Sequence, residues 1–145
     1  ERDATDPVPA ASLRELHGHA DVHVLGHCDV VPVYASMDVL VLPTYREGMP
    51  TAPLEAAAMR VPVVATQATG CVDAVLDDTT GVLVPIGDVD ALAREVERYL
   101  ADPTRRDAHG AAGRARVVAR FGSDRVQAAT ISYLAGPLTP ERTSP

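Results

Sequence analysis

Two glutamates eight positions apart, Glu47 and Glu55, are the side chains of this sequence best placed to do chemistry. Glu47 stands directly before Gly48 in a loop, and Glu55 comes two residues after Pro53 in a run of strong helix formers. Carboxylates accept hydrogen bonds from hydroxyl groups, and a glycine lets the backbone approach a ligand closely. The pair therefore indicates a site for a ligand that carries hydroxyl groups.

The segment around the two glutamates is predicted to be strand, loop, helix and strand. Val39–Leu42 and Pro62–Ala65 are short continuous apolar runs, typical of buried strands, and Pro53–Met59 opens with proline, which is favoured at a helix start. In such a βαβ unit, free backbone N–H groups and the helix dipole both favour an anion at the mouth of the loop. Two carboxylates beside an anion pocket suit a phosphate that carries sugars.

A simpler interpretation of the same residues stays open. Glu55 in a first helical turn is favoured by the helix dipole alone. Glu47 beside a glycine is compatible with an ordinary solvated loop.

The segment resembles the donor-site signature of glycosyltransferase family 4, whose members have the GT-B fold. The similar stretches are Tyr45–Pro50, Leu54–Ala56, Pro62–Thr66, Thr69–Val75, Gly81–Pro85 and Gly113–Val117. The resemblance is strongest to bacterial members that build polysaccharides on lipid carriers. It implies the donor-binding domain of a retaining enzyme that moves a hexose or N-acetylhexosamine from a nucleoside diphosphate, with UDP expected.

The resemblance also implies roles for particular residues. Glu47 would be the catalytic residue, contacting the donor sugar, and Glu55 would hold the ribose hydroxyls. Backbone amides of the loop and the helix start would face the diphosphate, so neither a metal nor another cofactor is expected. The predicted donor-binding residues are Gly48, Met49, Pro50, Thr51, Leu54, Glu55 and His27.

His27 enters this set for a second reason. It follows a predicted strand, Val22–Leu25, and open α/β sheets bind ligands at the carboxyl ends of their strands. Four regularly spaced histidines, His17, His19, His23 and His27, raise a metal hypothesis. The spacing spans a predicted helix end, a turn and a strand, which does not favour convergence of the four rings.

The sequence departs from the family pattern in what it lacks. All 13 basic residues are Arg, and the Lys or Arg that clamps the donor diphosphate in the family would precede Glu1. The acceptor, expected to be a glycan or a lipid-diphosphate-linked sugar, would bind through an N-terminal domain that is not encoded here. The chain alone is therefore expected to transfer no sugar, and the alternative is a non-catalytic remnant or split-enzyme subunit that acts as a binding module.

Arg60 is a local departure, because the family usually has glycine after this helix. A residue with a Cβ in a left-handed helix cap costs about 1 kcal/mol. The sequence predicts either a different helix end or a tolerated strain.

Composition restricts the remaining function classes. The net charge of −7 and the pI near 5.1 disfavour non-specific binding to nucleic acid or to an anionic membrane surface. Cys28 and Cys71 lack CxxC spacing, and no secretory signal precedes them. We therefore expect reduced thiols and a cytoplasmic location. The full enzyme could then associate peripherally with the inner face of the membrane. No apolar run has the length of a transmembrane helix.

The expected fold class is α/β: a Rossmann-like, mainly parallel sheet with helices on both faces, corresponding to the C-terminal half of a GT-B fold. Residues 1–9 are expected to be a flexible leader, 10–135 the nucleotide-sugar-binding domain and 136–145 a disordered tail. A short helix capped by Ser12, with Glu15 completing a capping box, is expected before the first strand. A late arginine-rich helix is interpreted as a solvated face, with a phosphate-binding patch as the alternative.

Overall fold

The computed structural model describes residues 9–135 of the chain. The chain divides into two compact units, Glu1–Val30 and Val31–Pro145, each described here by itself. The tail expected over 136–145 and nearly all of the expected leader lie outside the described residues. The bounds proposed for the domain therefore stay a prediction.

The first unit contains one helix, α1 (Ala10–Gly18), within its described part. Pro9 occupies its N-cap position, so the predicted capping box is wrong and Ser12 lies inside the helix. The predicted strand at Val22–Leu25 is also wrong, because this segment has no regular secondary structure and Val24 and Leu25 are exposed. A strand is stable only when a neighbour accepts and donates its backbone hydrogen bonds, and an apolar run cannot supply that neighbour itself.

The second unit is built on three parallel strands, and α2 (Val30–Ala35) begins at its boundary. The sheet order is β1-β2-β3, with Leu40 opposite Val63 and Val63 opposite Gly81. The elements after α2 are β1 (Leu40–Leu42), α3 (Thr51–Ala58), β2 (Val63–Thr66), α4 (Cys71–Ala74), β3 (Gly81–Val84), α5 (Val89–Ala101), α6 (Pro103–Phe121) and α7 (Ser123–Ala135).

Helices cover both faces of this sheet, as the alternation of side chains along β2 requires. Val63 and Ala65 pack in a core cluster with Ala56 of α3, while Val64 packs in a second cluster with Tyr99 of α5. The predicted Rossmann-like α/β class is therefore confirmed, with three parallel strands in the described part of the chain.

Asp88 and Asp102 cap the starts of α5 and α6. The Ala91 N–H donates to the Asp88 carboxylate at 2.8 Å, and the Arg105 N–H donates to the Asp102 carboxylate at 3.0 Å. In each case the aspartate satisfies an otherwise free backbone N–H at the start of the helix.

Close contact between α6 and α3 fixes the helix that carries Glu55. A Cβ at Gly110 would lie 2.1 Å from the Arg60 carbonyl oxygen, so only glycine allows this approach. Arg60 itself has φ +63°, so the strained left-handed conformation is present and tolerated. The Arg114 guanidinium donates to the Ala58 carbonyl at the end of α3.

The arginines of α6 act mainly as braces for the backbone and for other charged groups. Arg116 donates to the Ala74 carbonyl at 2.8 Å and to the Asp73 carbonyl at 2.6 Å, which satisfies the end of α4. Arg105 pairs with Asp78 at 2.8 Å and with Glu95 at 3.2 Å. Neither the solvated-face interpretation nor the phosphate-patch alternative describes these contacts.

Candidate functional site

The loop between β1 and α3, residues 43–50, carries Glu47 and is held at its start by Thr66, the last residue of β2. The Thr44 N–H donates to Thr66 Oγ1 at 3.2 Å, and the Thr66 hydroxyl donates to the Thr44 carbonyl. One buried side chain thus satisfies both backbone groups of Thr44. The loop consequently leaves the sheet in a defined direction at the carboxyl ends of β1 and β2.

Glu47 lies in the middle of this loop and is half-buried. Its N–H donates to the Thr69 carbonyl at 3.2 Å, which ties it to the segment after β2. Its carboxylate lies close enough to the Cys71 thiol to influence it: burial raises the pKa of Cys71, and the negative charge of Glu47 raises that pKa further. The backbone of Glu47 is therefore tied down at the sheet's carboxyl edge, with its carboxylate near the Cys71 thiol.

The rest of the predicted loop leads directly into α3. Gly48 and Met49 are exposed, and Pro50 is buried at the N-cap position. A proline side chain cannot accept a hydrogen bond, so the first amides of α3, at Thr51 and Ala52, have no acceptor on the N-cap side chain. The helix starts two residues before the predicted Pro53, which fits in its first turn because the N–H that proline lacks has no intrahelical partner there.

Glu55 lies one turn into α3, where it is exposed and accepts a hydrogen bond from another helix. The Tyr34 hydroxyl of α2 donates to Glu55 Oε2 at 2.9 Å. The pKa of Tyr34 is raised to about 12, first by burial and then by the hydrogen bond to the Glu55 carboxylate and its negative charge. The second carboxylate oxygen stays available to accept further hydrogen bonds.

Tyr34 is a site residue that the sequence did not single out, because its sequence neighbours reveal nothing about a glutamate 21 positions later. Leu54, by contrast, was expected to touch the ligand and packs against the core cluster under α3. It is half-buried and supports the helix from below.

His27 belongs to the first unit and is exposed. The strand that was expected to precede it is absent, so the reason for placing His27 at the carboxyl edge of the sheet is lost. Within residues 9–135, no three His, Cys, Asp or Glu side chains form a group that could hold a metal ion.

A pocket of about 310 Å³ opens at the same edge of the sheet, toward α5. Its lining comes from the loop after β1, from the last residue of β2 and from the segment that leads from β3 into α5: Pro43, Thr44, Tyr45, Thr66, Ile86, Gly87, Asp88, Val89 and Leu92. The surface is mainly apolar, and the Asp88 carboxylate is already engaged in capping α5. The pocket and the two glutamates share the loop 43–50, yet neither glutamate lines the pocket.

None of the helices within residues 9–135 combines the length and the apolar character that crossing a bilayer requires.

A parallel sheet with an acid-and-glycine loop at its carboxyl edge, followed by a helix whose first turn is uncapped, defines a Rossmann-like ligand-binding domain. The family model for "Glycosyl transferases group 1" matches residues 4–102. The chain therefore belongs to this family, and the predicted resemblance and the GT-B type of fold are confirmed.

Individual relatives agree with the family match. The chain is 40% identical over 95 residues to the capsular polysaccharide biosynthesis glycosyltransferase CapM of Staphylococcus aureus. This alignment covers 66% of this chain and 25% of CapM. Sucrose-phosphate synthase from Thermosynechococcus elongatus superimposes with a TM-score of 0.77 at 31% identity, over 86% of this chain and 32% of that one. HepE of Anabaena in complex with UDP superimposes with a TM-score of 0.70 at 25% identity, over 77% of this chain and 32% of that one.

The chain thus spans about a quarter of the length of CapM. The activity, substrates and partners of a whole enzyme are accordingly matters of proposal.

Proposed function

We propose that this chain binds the nucleoside-diphosphate-sugar donor of a retaining glycosyltransferase that acts in cell-surface polysaccharide or lipid-linked glycan synthesis. The observation that carries the proposal is the pair of carboxylates, Glu47 held in the loop and Glu55 held by Tyr34, on either side of an uncapped helix start. The complex of a structural neighbour with UDP supports the nucleotide part of the proposal.

Each carboxylate has a role that its environment supports. Glu55 keeps one oxygen on the Tyr34 hydroxyl and presents the other to the ribose hydroxyls of the nucleotide. Glu47 is the catalytic residue: it contacts the donor sugar and stabilises positive charge that develops on the sugar ring as the diphosphate departs. Its backbone hydrogen bond to Thr69 keeps it in place during this step.

The diphosphate is proposed to lie against the amides of Gly48, Met49, Thr51 and Ala52. Those of Thr51 and Ala52 open α3, where the helix dipole favours negative charge. Stabilisation of the leaving group by amides requires no metal ion and no other cofactor. Pro50 has no N–H, and Leu54 contributes through packing.

The acceptor and the cellular setting follow from the relatives and belong to the same proposal. A glycan or a lipid-diphosphate-linked sugar would be held opposite the donor, at the inner face of the cytoplasmic membrane. The described residues supply groups for one side of such a cleft, and catalysis needs groups from both sides. We therefore expect the 145 residues alone to transfer no sugar.

Nucleotide titration tests the proposal. UDP, UDP-GlcNAc and GDP are added to the isotope-labelled chain while amide NMR shifts are followed, a method suited to a dissociation constant in the high micromolar to millimolar range, roughly −4 to −6 kcal/mol. We expect UDP to shift the amides of the loop and the start of α3. Glu55→Ala should weaken binding at least tenfold, whereas Glu97→Ala, at an exposed glutamate of α5, should not change it.

Equal UDP affinity of the chain and its Glu55→Ala variant would contradict the proposed donor site. If no nucleotide binds at all, the non-catalytic interaction module becomes the better description. Sugar transfer by the chain alone, measured with radiolabelled UDP-sugars and lipid-diphosphate sugars, would contradict the division of the site between two sides.

A further inference from the structure

The segment after β2, Thr66–Cys71, lies directly behind the loop that carries Glu47. It holds that loop at two points that are three residues apart. At the first point Thr66 satisfies both backbone groups of Thr44, and at the second the Thr69 carbonyl accepts the Glu47 N–H at 3.2 Å.

Gly70 makes the closest approach between the two segments. A Cβ at Gly70 would lie 2.2 Å from the Gly48 carbonyl oxygen and 2.9 Å from the Glu47 carbonyl oxygen. These are backbone atoms, which cannot move aside as a flexible side chain would. Gly70 also has φ +84°, a conformation that residues with a Cβ rarely adopt.

We propose that Gly70 is a positioning residue for the donor loop: the missing side chain sets the height of the Glu47 and Gly48 carbonyl groups above the sheet, while Thr66 fixes where the loop begins. The inference rests on the proposed function for what the loop binds, a nucleoside-diphosphate sugar. Gly70 and Thr66 touch no ligand in this scheme and act through Glu47 and Gly48.

The buried Cys71 next to Gly70 anchors the segment Thr66–Cys71, against which the donor loop rests. Its side chain is fully buried in the core cluster on the α3 face of the sheet, so the chain after Gly70 is anchored from below. A Cβ at position 70 is therefore expected to relieve the collision by pushing the carbonyl groups of Glu47 and Gly48 outward. Such a shift would move the Glu47 carboxylate and the Gly48 amide together.

The test compares three variants of the full chain, Gly70→Ala, Thr66→Val and Thr66→Ser, by amide NMR shifts, hydrogen exchange and UDP affinity. Gly70→Ala is expected to shift the Glu47 and Gly48 amide resonances, to accelerate hydrogen exchange of the Glu47 N–H at least tenfold, and to raise the UDP dissociation constant about tenfold. Thr66→Val should raise that constant several-fold by removing the hydroxyl at nearly constant volume, and Thr66→Ser should restore it.

Two other glycines provide matched controls. Gly87→Ala has the same positive φ, +81°, with no atom within 4 Å of the added Cβ, so it reproduces the backbone strain without the collision. Gly110→Ala reproduces a collision with a backbone carbonyl, that of Arg60, away from the donor loop. Neither should change the Glu47 and Gly48 amides as Gly70→Ala does.

The proposal is overturned if Gly70→Ala leaves both amides and UDP binding unchanged, or if Gly87→Ala changes them equally. Should Gly70→Ala fail to fold, the Thr66 variants decide, and an unchanged Glu47 amide and UDP affinity in Thr66→Val would overturn it. Absence of UDP binding by the unmodified chain would refute the proposed function, while the amide readouts would still decide the positioning role.

Discussion

The buried contact between Tyr99 of α5 and His109 of α6 gives the sharpest stability prediction for this fold. Tyr99 is fully buried, and its hydroxyl shares a hydrogen bond of 2.7 Å with His109 Nδ1. The two rings are also in edge contact, with centroids 5.7 Å apart, and the Arg105 guanidinium lies 5.2 Å from the centre of the tyrosine ring. Tyr99→Phe removes the hydroxyl and retains the ring that makes these other contacts.

The size of the effect follows from the burial of both partners. Water has little access to His109, which is 9% exposed, so Nδ1 would lose its partner without replacement. An unsatisfied buried polar group costs about 1–3 kcal/mol. At about 4 °C per kcal/mol for a domain of this size, Tm should fall by roughly 4–12 °C.

Urea unfolding followed by circular dichroism measures this loss. The m-value should stay constant, because the surface exposed on unfolding hardly changes. Tyr133→Phe is the matched control, since Tyr133 is 86% exposed, and it should change the free energy of unfolding by less than about 0.5 kcal/mol. If Tyr99→Phe changes it as little as Tyr133→Phe does, the hydrogen bond does not stabilise the contact between α5 and α6.

Two further predictions concern pH and backbone strain. Burial lowers the pKa of His109 below its ordinary 6.5, assisted by the charge of Arg105 and opposed by that of Asp78. As the pH falls, the unfolded chain therefore binds a proton at this histidine before the folded chain does, and the free energy of unfolding should decrease below about pH 6.5. His109→Gln should flatten this pH dependence, measured by urea unfolding between about pH 7.5 and about pH 5.5. An unchanged slope in the variant would contradict the assignment to His109. Arg60→Gly should raise the free energy of unfolding by about 1 kcal/mol, because glycine adopts φ +63° without strain. Thermal unfolding measures this gain. If the variant is no more stable, the Arg60 side chain compensates for the strain.

The sequence was enough to propose the two glutamates and the glycine loop of the candidate site, but not the residues that hold them in position. Glu47, Gly48 and Glu55 were found because a strand–loop–helix unit is local in the chain, and the family signature lies in that same unit. Tyr34 and Gly70 were missed because each acts on a residue more than 20 positions away. Nothing near Tyr34 or Gly70 in the chain indicates which distant backbone or carboxylate it will meet.

The sequence by itself determined the elements whose signals are local. Aspartates before α5 and α6 supply caps, and continuous apolar runs become β1 to β3. Only the tertiary structure decided that Val22–Leu25 forms no strand, although its composition resembles that of β1, since a strand exists through the hydrogen bonds of its neighbours. It also decided that Arg114 and Arg116 bind backbone carbonyls, because a long flexible side chain takes its partner from whatever the packing of other helices leaves unsatisfied.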